Sequence, residues 1–196
     1  MILKNSLSLL ATGLTLVGFF PYIRSILKGD TRPHVFSWVI WGITTLLAFA
    51  GQWAGHGGVG TWSTAVSGGI TVGIAILAYY RKGDISIHRI DWIFLIAAVA
   101  AIPVWIVTSD PFWAVLLLTT VDVLGFFPTI RKSMVDPYSE NLTTYWILLF
   151  RNLVSIVALE HYSATTVMFP AAMSVTIVIM IPLLLYYRYR FQDTTG

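Results

Sequence analysis

Residues 18–24 read GFFPYIR, and residues 125–131 read GFFPTIR. The two segments are 107 positions apart (Pro21 to Pro128), and the same offset holds without a gap far beyond them. One constant offset over several apolar segments indicates that a single unit is duplicated within the chain. Further identities at this offset include Thr12 with Thr119, Ser67 with Ser174, and residues 79–81 with residues 186–188.

The composition is typical of a membrane protein. Hydrophobic residues make up 57% of the chain and charged residues 11%, whereas a soluble domain carries about 25% charged residues. The net charge of +3 resides in short loops beside apolar segments, so we expect no nucleic-acid partner. The chain has no cysteine, which excludes disulfides, thiolate metal sites and cysteine nucleophiles.

Seven apolar segments approach the length of about 20 residues that a helix needs to cross the hydrocarbon core. They must be helices, because an open sheet in lipid leaves backbone polar groups unpaired. The predicted spans are residues 7–27, 35–53, 60–80, 92–108, 112–130, 142–159 and 165–187.

The basic residues predict the orientation of these spans. We call the side that holds the N-terminus side A and the opposite side side B. Lys4 is the single basic residue on side A, against ten on side B, so the positive-inside rule makes side B cytoplasmic and places the N-terminus outside. We therefore expect a cell-membrane protein with a cytoplasmic C-terminus. The side B residues are Arg24, Lys28, Arg32, Arg81, Lys82, Arg89, Arg131, Lys132, Arg188 and Arg190.

The repeated unit contains three spans, an odd number. Two such units joined directly would insert in opposite orientations, and the fourth span restores the parity. The predicted fold is therefore an all-α membrane protein with two parallel three-helix bundles joined by a linker helix, a 3+1+3 arrangement known among transporters. The predicted boundaries are residues 1–83 for the first repeat, 84–110 for the linker and fourth span, 111–190 for the second repeat, and 191–196 for a short cytoplasmic tail.

This layout resembles the SWEET and PQ-loop superfamily, with features of a bacterial-type member. In each repeat a helix ends near a proline, a short basic loop follows, and the next helix begins near a Ser or Thr, as in residues 21–38 and 128–145. The dipeptide that names the family is represented by Pro21-Tyr22 and Pro128-Thr129. The resemblance implies alternating access around a central pocket. Family members move sugars, amino acids or cystine, some with proton coupling, and one branch is a cargo receptor.

Two ionisable residues lie deep within predicted spans, Asp122 in the fifth and Arg151 in the sixth. Both lie about 13–15 Å from a membrane face, near the midplane. Ionisable residues at this depth are costly and are functional candidates by default. We predict a substrate site, with Asp122 also a candidate for proton coupling. The alternative is a buried ion pair that only holds the second bundle together.

The repeat extends this candidate site to both bundles. Asp122 is equivalent to Thr15, and each belongs to an i, i+3 pair on one helix face. The resemblance to sugar carriers places approximately these positions at the pocket. Each threonine could instead bond to its own helix backbone. The remaining predicted substrate-binding residues are Thr12, Thr119, Thr44, Thr45, Asn152 and Trp41.

Other residues receive weaker functional interpretations. Pro21 and Pro128 are candidate hinges, because proline removes a helix hydrogen bond. Trp41 lines a pocket or gate in one interpretation and simply packs between helices in the other. Gly68, Gly69 and Gly73 fit close helix packing. We expect no metal and no cofactor, since His34, His88 and His161 are isolated near the interfaces and lack metal-ligand spacing.

Two functions from different classes remain open. The first is a transporter that moves a small polar solute across the lipid bilayer, facilitative or coupled to protons. The second is a non-transporting receptor or scaffold that binds a peptide or partner protein. We do not expect an enzyme, because the sequence has no recognisable nucleophile–base pair, metal cluster or phosphate loop. One chain contains both repeats, so a monomer could suffice, and a homo-oligomer remains open.

Overall fold

The computed structural model describes residues 2–29, 33–135, 137–138 and 140–193. Within these residues the chain is helical, with one isolated bridge between His34 and Asp84 and no strand. A short 3₁₀ helix, Gly58–Thr61, precedes the third α-helix. The α-helices are α1 (Ile2–Lys28), α2 (Val35–Ala54), α3 (Trp62–Tyr80), α4 (Arg89–Thr108), α5 (Pro111–Gly125), α6 (Phe127–Val135), α7 (Leu142–Ala158) and α8 (Ala164–Asp193).

All seven predicted spans fall in helical segments. The fifth span differs from the others because its helix is interrupted. The segment predicted at residues 112–130 is divided into α5 and α6, which are separated at Phe126. The division precedes Pro128, which has no N–H to donate to the carbonyl of Leu124. In the first repeat the equivalent segment is one unbroken helix through Pro21. The prediction of one continuous fifth helix is therefore wrong.

Among the described residues, five helical segments are long and apolar enough to cross a membrane. The others with marked apolar character, α5 and α7, have 15 and 17 residues. At 1.5 Å per residue α5 extends over only about 22 Å, less than the hydrocarbon core. The five candidate spans are Ile2–Lys28, Val35–Ala54, Gly58–Tyr80, Arg89–Thr108 and Ala164–Arg190.

The helices pack in two similar groups. In the first group α3 contacts both α1 and α2, and in the second α8 contacts both α5 and α7. The two groups meet where α1 packs on α7 and where α2 packs on α5, while α4 lies against α5 and α2. The third helix of each predicted repeat therefore packs against the other two.

Two glycines occupy matching places in the contacts between the groups. A Cβ atom added at Gly18 of α1 would lie 3.3 Å from the Leu148 side chain on α7. One added at Gly125 of α5 would lie 3.0 Å from Nε1 of Trp41 on α2. Gly18 and Gly125 differ by the repeat offset of 107 positions, as do Trp41 and Leu148. The two contacts are thus equivalent under exchange of the repeats.

Many large apolar side chains are exposed, and many of the buried side chains are Ser or Thr. On α4 the exposed residues are mainly Ile and Val, whereas its buried residues are Asp91, Ala98 and Ala101. Buried Ser and Thr side chains occur on α1, α2, α3, α5, α7 and α8. This distribution, with small and polar residues at helix contacts and large apolar residues outside, is typical of a membrane-embedded protein.

The glycines of α3 only partly match the expectation of close packing. Gly68 faces Leu46 of α2, where an added Cβ would lie 2.7 Å from the leucine side chain. Gly69 and Gly73 have no such neighbour within 4 Å. The close helix contact is therefore made by Gly68 and, from the other side, by Gly42 against Val72.

Candidate functional site

The two ionisable residues singled out in the sequence are both buried, on different helices. Asp122 lies on α5 and is 5% exposed, and Arg151 lies on α7 and is 7% exposed. Within the part of the chain that the structure describes, no ion pair joins them. The purely structural alternative, a buried ion pair within the second bundle, is therefore not formed.

Asp122 faces the other repeat. Its carboxyl interacts with the hydroxyl of Thr44 on α2, which donates its hydrogen to the Trp41 carbonyl, in keeping with the packing of α2 on α5. The Oδ1 atom of Asp122 has no hydrogen-bond partner, nor has Oγ1 of Thr119, one turn earlier on the same face of α5. Two buried oxygen atoms of one helix face thus lack a protein partner.

Arg151 also reaches towards the first repeat. Its Nη2 atom donates to the hydroxyl of Ser67 on α3 over 3.4 Å, and its Nε atom has no hydrogen-bond partner. Among the described residues five buried side-chain polar atoms lack a partner, and three of them belong to Asp122, Thr119 and Arg151. Because a buried polar group without a partner costs about 1–3 kcal/mol, each of these three atoms would gain from a hydrogen bond to a ligand.

Two of the predicted threonines form hydrogen bonds within their own helices. Thr15 and Thr44 are fully buried, and their hydroxyls donate to the backbone carbonyls of Ala11 and Trp41 in their own helices. This is the local alternative considered for them, although each hydroxyl oxygen can still accept a hydrogen bond. Thr12 is half-buried. Thr45 of α2 and Asn152 of α7 are buried, at 7% and 3% exposure.

Aromatic residues form a connected row on the side B half of the first repeat. The rings of Tyr22 and Trp38 have centroids 5.0 Å apart, and those of Trp38 and Trp41 are 5.4 Å apart. Trp41 is half-buried and lies against Gly125, next to the division between α5 and α6. The row therefore extends from the Pro21 region of α1 to the last residue of α5.

The two candidate hinges have different surroundings. Pro21 is exposed, within the continuous α1. The backbone of Pro128 lies in the first turn of α6, while its side chain is outside the part that the structure describes. The two proline positions are thus equivalent in sequence but not in helix continuity.

At the side A end, hydrogen bonds between the repeats join elements that sequence analysis did not connect. The Nε2 atom of Gln52 on α2 donates to the carbonyl of Thr166 on α8 over 3.0 Å, and Gln52 is 1% exposed. The hydroxyls of Ser63 and Ser155 lie 2.5 Å apart. The proline at position 170 could have indicated the first bond, because it frees the carbonyl of the residue four positions earlier, Thr166.

The structure also brings together two histidines that are far apart in the sequence. His34, the N-cap of α2, and His88, the N-cap of α4, both approach the carboxylate of Asp91. The expectation that His34 and His88 are isolated is therefore wrong, because the segment before α4 folds back against the start of α2. This contact joins residues 54 positions apart, which no local spacing reveals.

The surface also carries two apolar grooves. The first lies along α2 and α3 and includes Val39 and Val72, and the second lies along α4 and α5 and includes Val104 and Leu117. No predicted site residue lines either groove. Their apolar linings suit lipid chains, and the candidate polar site is separate from them.

No family model, curated protein or solved structure matches this chain. The functional proposal therefore depends on the residues and contacts described above.

Proposed function

We propose that the chain crosses the membrane seven times, as two parallel three-helix repeats joined by α4. The repeat offset, the similar packing of α3 and α8, and the reciprocal contacts of Gly18 and Gly125 support this arrangement. In this proposal α5 and α6 together make the fifth crossing, and α7, at about 25 Å, makes the sixth by local thinning of the bilayer. The N-terminus lies outside and side B is cytoplasmic.

We further propose that the protein is a transporter for a small polar solute. The carrying observation is the set of unpartnered buried atoms on Asp122, Thr119 and Arg151, all of which belong to the second repeat. Asp122 and Arg151 also face polar residues of the first repeat, Thr44 and Ser67. A solute between the repeats would complete the hydrogen bonds that the protein leaves unmade.

The proposed mechanism is alternating access around this site. The hydrogen bonds of Gln52 and Ser63 close the side A end, so entry from outside requires them to break. The glycine contacts at Gly18 and Gly125 lie nearer side B and leave little side-chain bulk between the groups. Relative rotation of the two repeats would open the side A end and bring the groups together near Gly18 and Gly125. Such a motion agrees with the resemblance to the SWEET and PQ-loop superfamily.

The residues have distinct proposed roles. The Asp122 carboxylate accepts hydrogen bonds or a cationic group of the solute and is also the candidate proton carrier. The Arg151 guanidinium and the Asn152 amide bind acceptor groups, and the threonine hydroxyls complete the ring. Because one carboxylate and one guanidinium remain unpaired with each other, the site suits a solute with polar groups of both kinds.

A ligand screen tests this proposal on the purified protein. Thermal unfolding is measured in mild detergent against sugars, amino acids, nucleosides and carboxylates, each at two pH values. A ligand present at 100 times its Kd adds about 2.7 kcal/mol to stability, which gives a clear shift. We expect one class to stabilise the protein, and we expect Asp122→Asn to remove that shift.

Asp110→Asn is the matched control, because Asp110 caps α5 at the side A end and asparagine caps a helix equally well. The control should retain the ligand response of the parent protein. No response from any class in a well-folded sample, with binding of a peptide or partner protein instead, would favour the receptor or scaffold.

A further inference from the structure

His34, His88 and Asp91 form a compact cluster on side B, away from the candidate transport site. The Nε2 atom of His34 lies 4.0 Å from Oδ2 of Asp91, and Nδ1 of His88 lies 3.7 Å from the same oxygen. One ligating atom from each residue lies within 4.8 Å of the other two. The backbone carbonyl of Ser86 also contacts Nε2 of His34. Two ring nitrogens and one carboxylate oxygen therefore lie close together, and the Ser86 carbonyl contacts one of the two rings.

The Asp91 carboxylate is a buried charge whose ion-pair partners, within the described residues, are these two imidazoles. Its side chain is only 12% exposed, and neutral imidazoles do not compensate its charge. Asp84 adds a second carboxylate near both rings. The Oδ1 atom of Asp84 accepts the backbone N–H of Ser86 over 2.9 Å, which holds this carboxylate beside the cluster.

Helix capping accounts for only part of this arrangement. The Oδ2 atom of Asp91 accepts the backbone N–H of His88 in a capping box at the start of α4. That motif does not require His34, which belongs to another helix and approaches the same oxygen. Histidine is also outside the preferred N-cap residues, which are Ser, Thr, Asp and Asn. Each ring has a capping role in its own helix, so what capping leaves unexplained is the approach of both rings to one carboxylate oxygen.

The cluster is held in place by its surroundings. Backbone hydrogen bonds from Val35 to Asp84 and from Asp84 to Pro33 fix the segment before α4 against the start of α2. The Nδ1 atom of His34 lies 2.7 Å from the hydroxyl of Ser37. Nδ1 also accepts the backbone N–H of Ser37 over 3.3 Å, so in the structure Nε2 carries the ring proton. Metal binding at Nε2 would move that proton to Nδ1, which then donates to the Ser37 hydroxyl. Such outer hydrogen bonds are the usual way in which a ligating histidine is oriented.

We propose that His34, His88 and Asp91 bind a divalent transition-metal ion of the zinc class, with the Ser86 carbonyl or a water as the fourth ligand. Zinc binds histidine nitrogen at about 2.0–2.1 Å in tetrahedral sites, so neighbouring donors lie roughly 3.3 Å apart. The observed distances to the Asp91 oxygen, 4.0 Å from His34 and 3.7 Å from His88, are longer, so metal binding would draw both rings towards that oxygen. Imidazole and carboxylate donors select zinc-like ions over magnesium, which prefers oxygen alone. The bound ion would join α4 to α2.

The test uses the full chain in detergent, purified with an affinity tag that contains no histidine. Zn²⁺ binding is measured by calorimetry, and Co²⁺ is added as a spectroscopic probe of four-coordinate nitrogen and oxygen ligation. We expect one Zn²⁺ per chain, a stabilised thermal transition, visible absorption of bound Co²⁺, and no response to Mg²⁺. His88→Ala should weaken Zn²⁺ binding at least about tenfold, which is the minimum effect seen even for outer-sphere partners.

Two further variants separate ligation from folding. Asp91→Asn retains an oxygen acceptor for the helix cap but loses the charge, so it should fold and bind Zn²⁺ weakly. His161→Ala removes an exposed histidine outside the cluster and should bind Zn²⁺ as the parent does. Equal affinity in His88→Ala and His161→Ala would overturn the proposal. A transition that shifts with pH but not with Zn²⁺ would also overturn it and would assign the cluster to protons alone.

Discussion

The proposed function depends on Asp122 and Arg151. Each is buried and has a side-chain atom without a hydrogen-bond partner. The sequence predicts both as midplane groups because an apolar segment makes any charge conspicuous. It does not predict whether they pair, since that depends on how α5 and α7 face each other. In the structure each is turned towards the other repeat, Asp122 to Thr44 and Arg151 to Ser67.

The absence of an ion pair between Asp122 and Arg151 predicts that their effects on stability are independent. In a double-mutant cycle with Asp122→Asn and Arg151→Gln, we expect a coupling free energy below about 0.5 kcal/mol, as for residues without direct contact. Breaking one partner of a true buried pair would cost about 3–5 kcal/mol. The free energy of unfolding in detergent is the measurement. Asp122→Asn with Lys4→Met, at the distant side A end, gives the reference for no coupling.

At the scale of helices, the local sequence predicts where each helix begins and ends, but it does not predict where a helix is interrupted. Apolar runs and the basic residues that end them predict each helix, because the membrane requires both. The division at Phe126 was missed, since the equivalent residues around Pro21 form an unbroken helix. The contact between Gln52 and Thr166 was also missed, because it joins residues 114 positions apart.

The Gln52 bond gives a prediction about helix α8. Pro170 has no N–H for the Thr166 carbonyl, and the Gln52 side chain satisfies this carbonyl instead. Gln52→Ala should therefore lower the free energy of unfolding by about 1–3 kcal/mol. In a Pro170→Ala background, which restores the helical donor, the same substitution should cost clearly less. Equal costs in both backgrounds, measured by thermal or denaturant unfolding, would show that Gln52 acts by packing alone.

At the scale of the whole molecule, the duplication is the feature that sequence predicts best. A constant offset can be read without any structure, and the packing of the helices follows it. The residues at the contact between the repeats are harder to predict, since they depend on the relative rotation of two bundles. The histidine cluster is also hard to predict from sequence, because His34 and His88 come together only in the folded chain.

The proposed orientation can be measured directly, because the chain has no cysteine of its own. His161→Cys places a thiol at an exposed side A position, and Arg81→Cys places one at an exposed side B position. A membrane-impermeant thiol reagent added to intact cells should label His161→Cys and should label Arg81→Cys only after lysis. The reverse pattern would invert the orientation, and labelling of both in intact cells would contradict an odd number of crossings between these positions.

The central claim is that a polar site between the repeats carries a solute across the membrane. Solute flux into proteoliposomes tests it most directly, with the parent protein, Asp122→Asn and the control Asp110→Asn reconstituted at equal amounts. Loss of a charge-assisted hydrogen bond costs about 1.5–3 kcal/mol, so we predict that Asp122→Asn slows protein-dependent uptake roughly 10- to 100-fold, while Asp110→Asn transports as the parent does. Parent flux no greater than that of empty liposomes, or equal flux in all three proteins, would contradict the account.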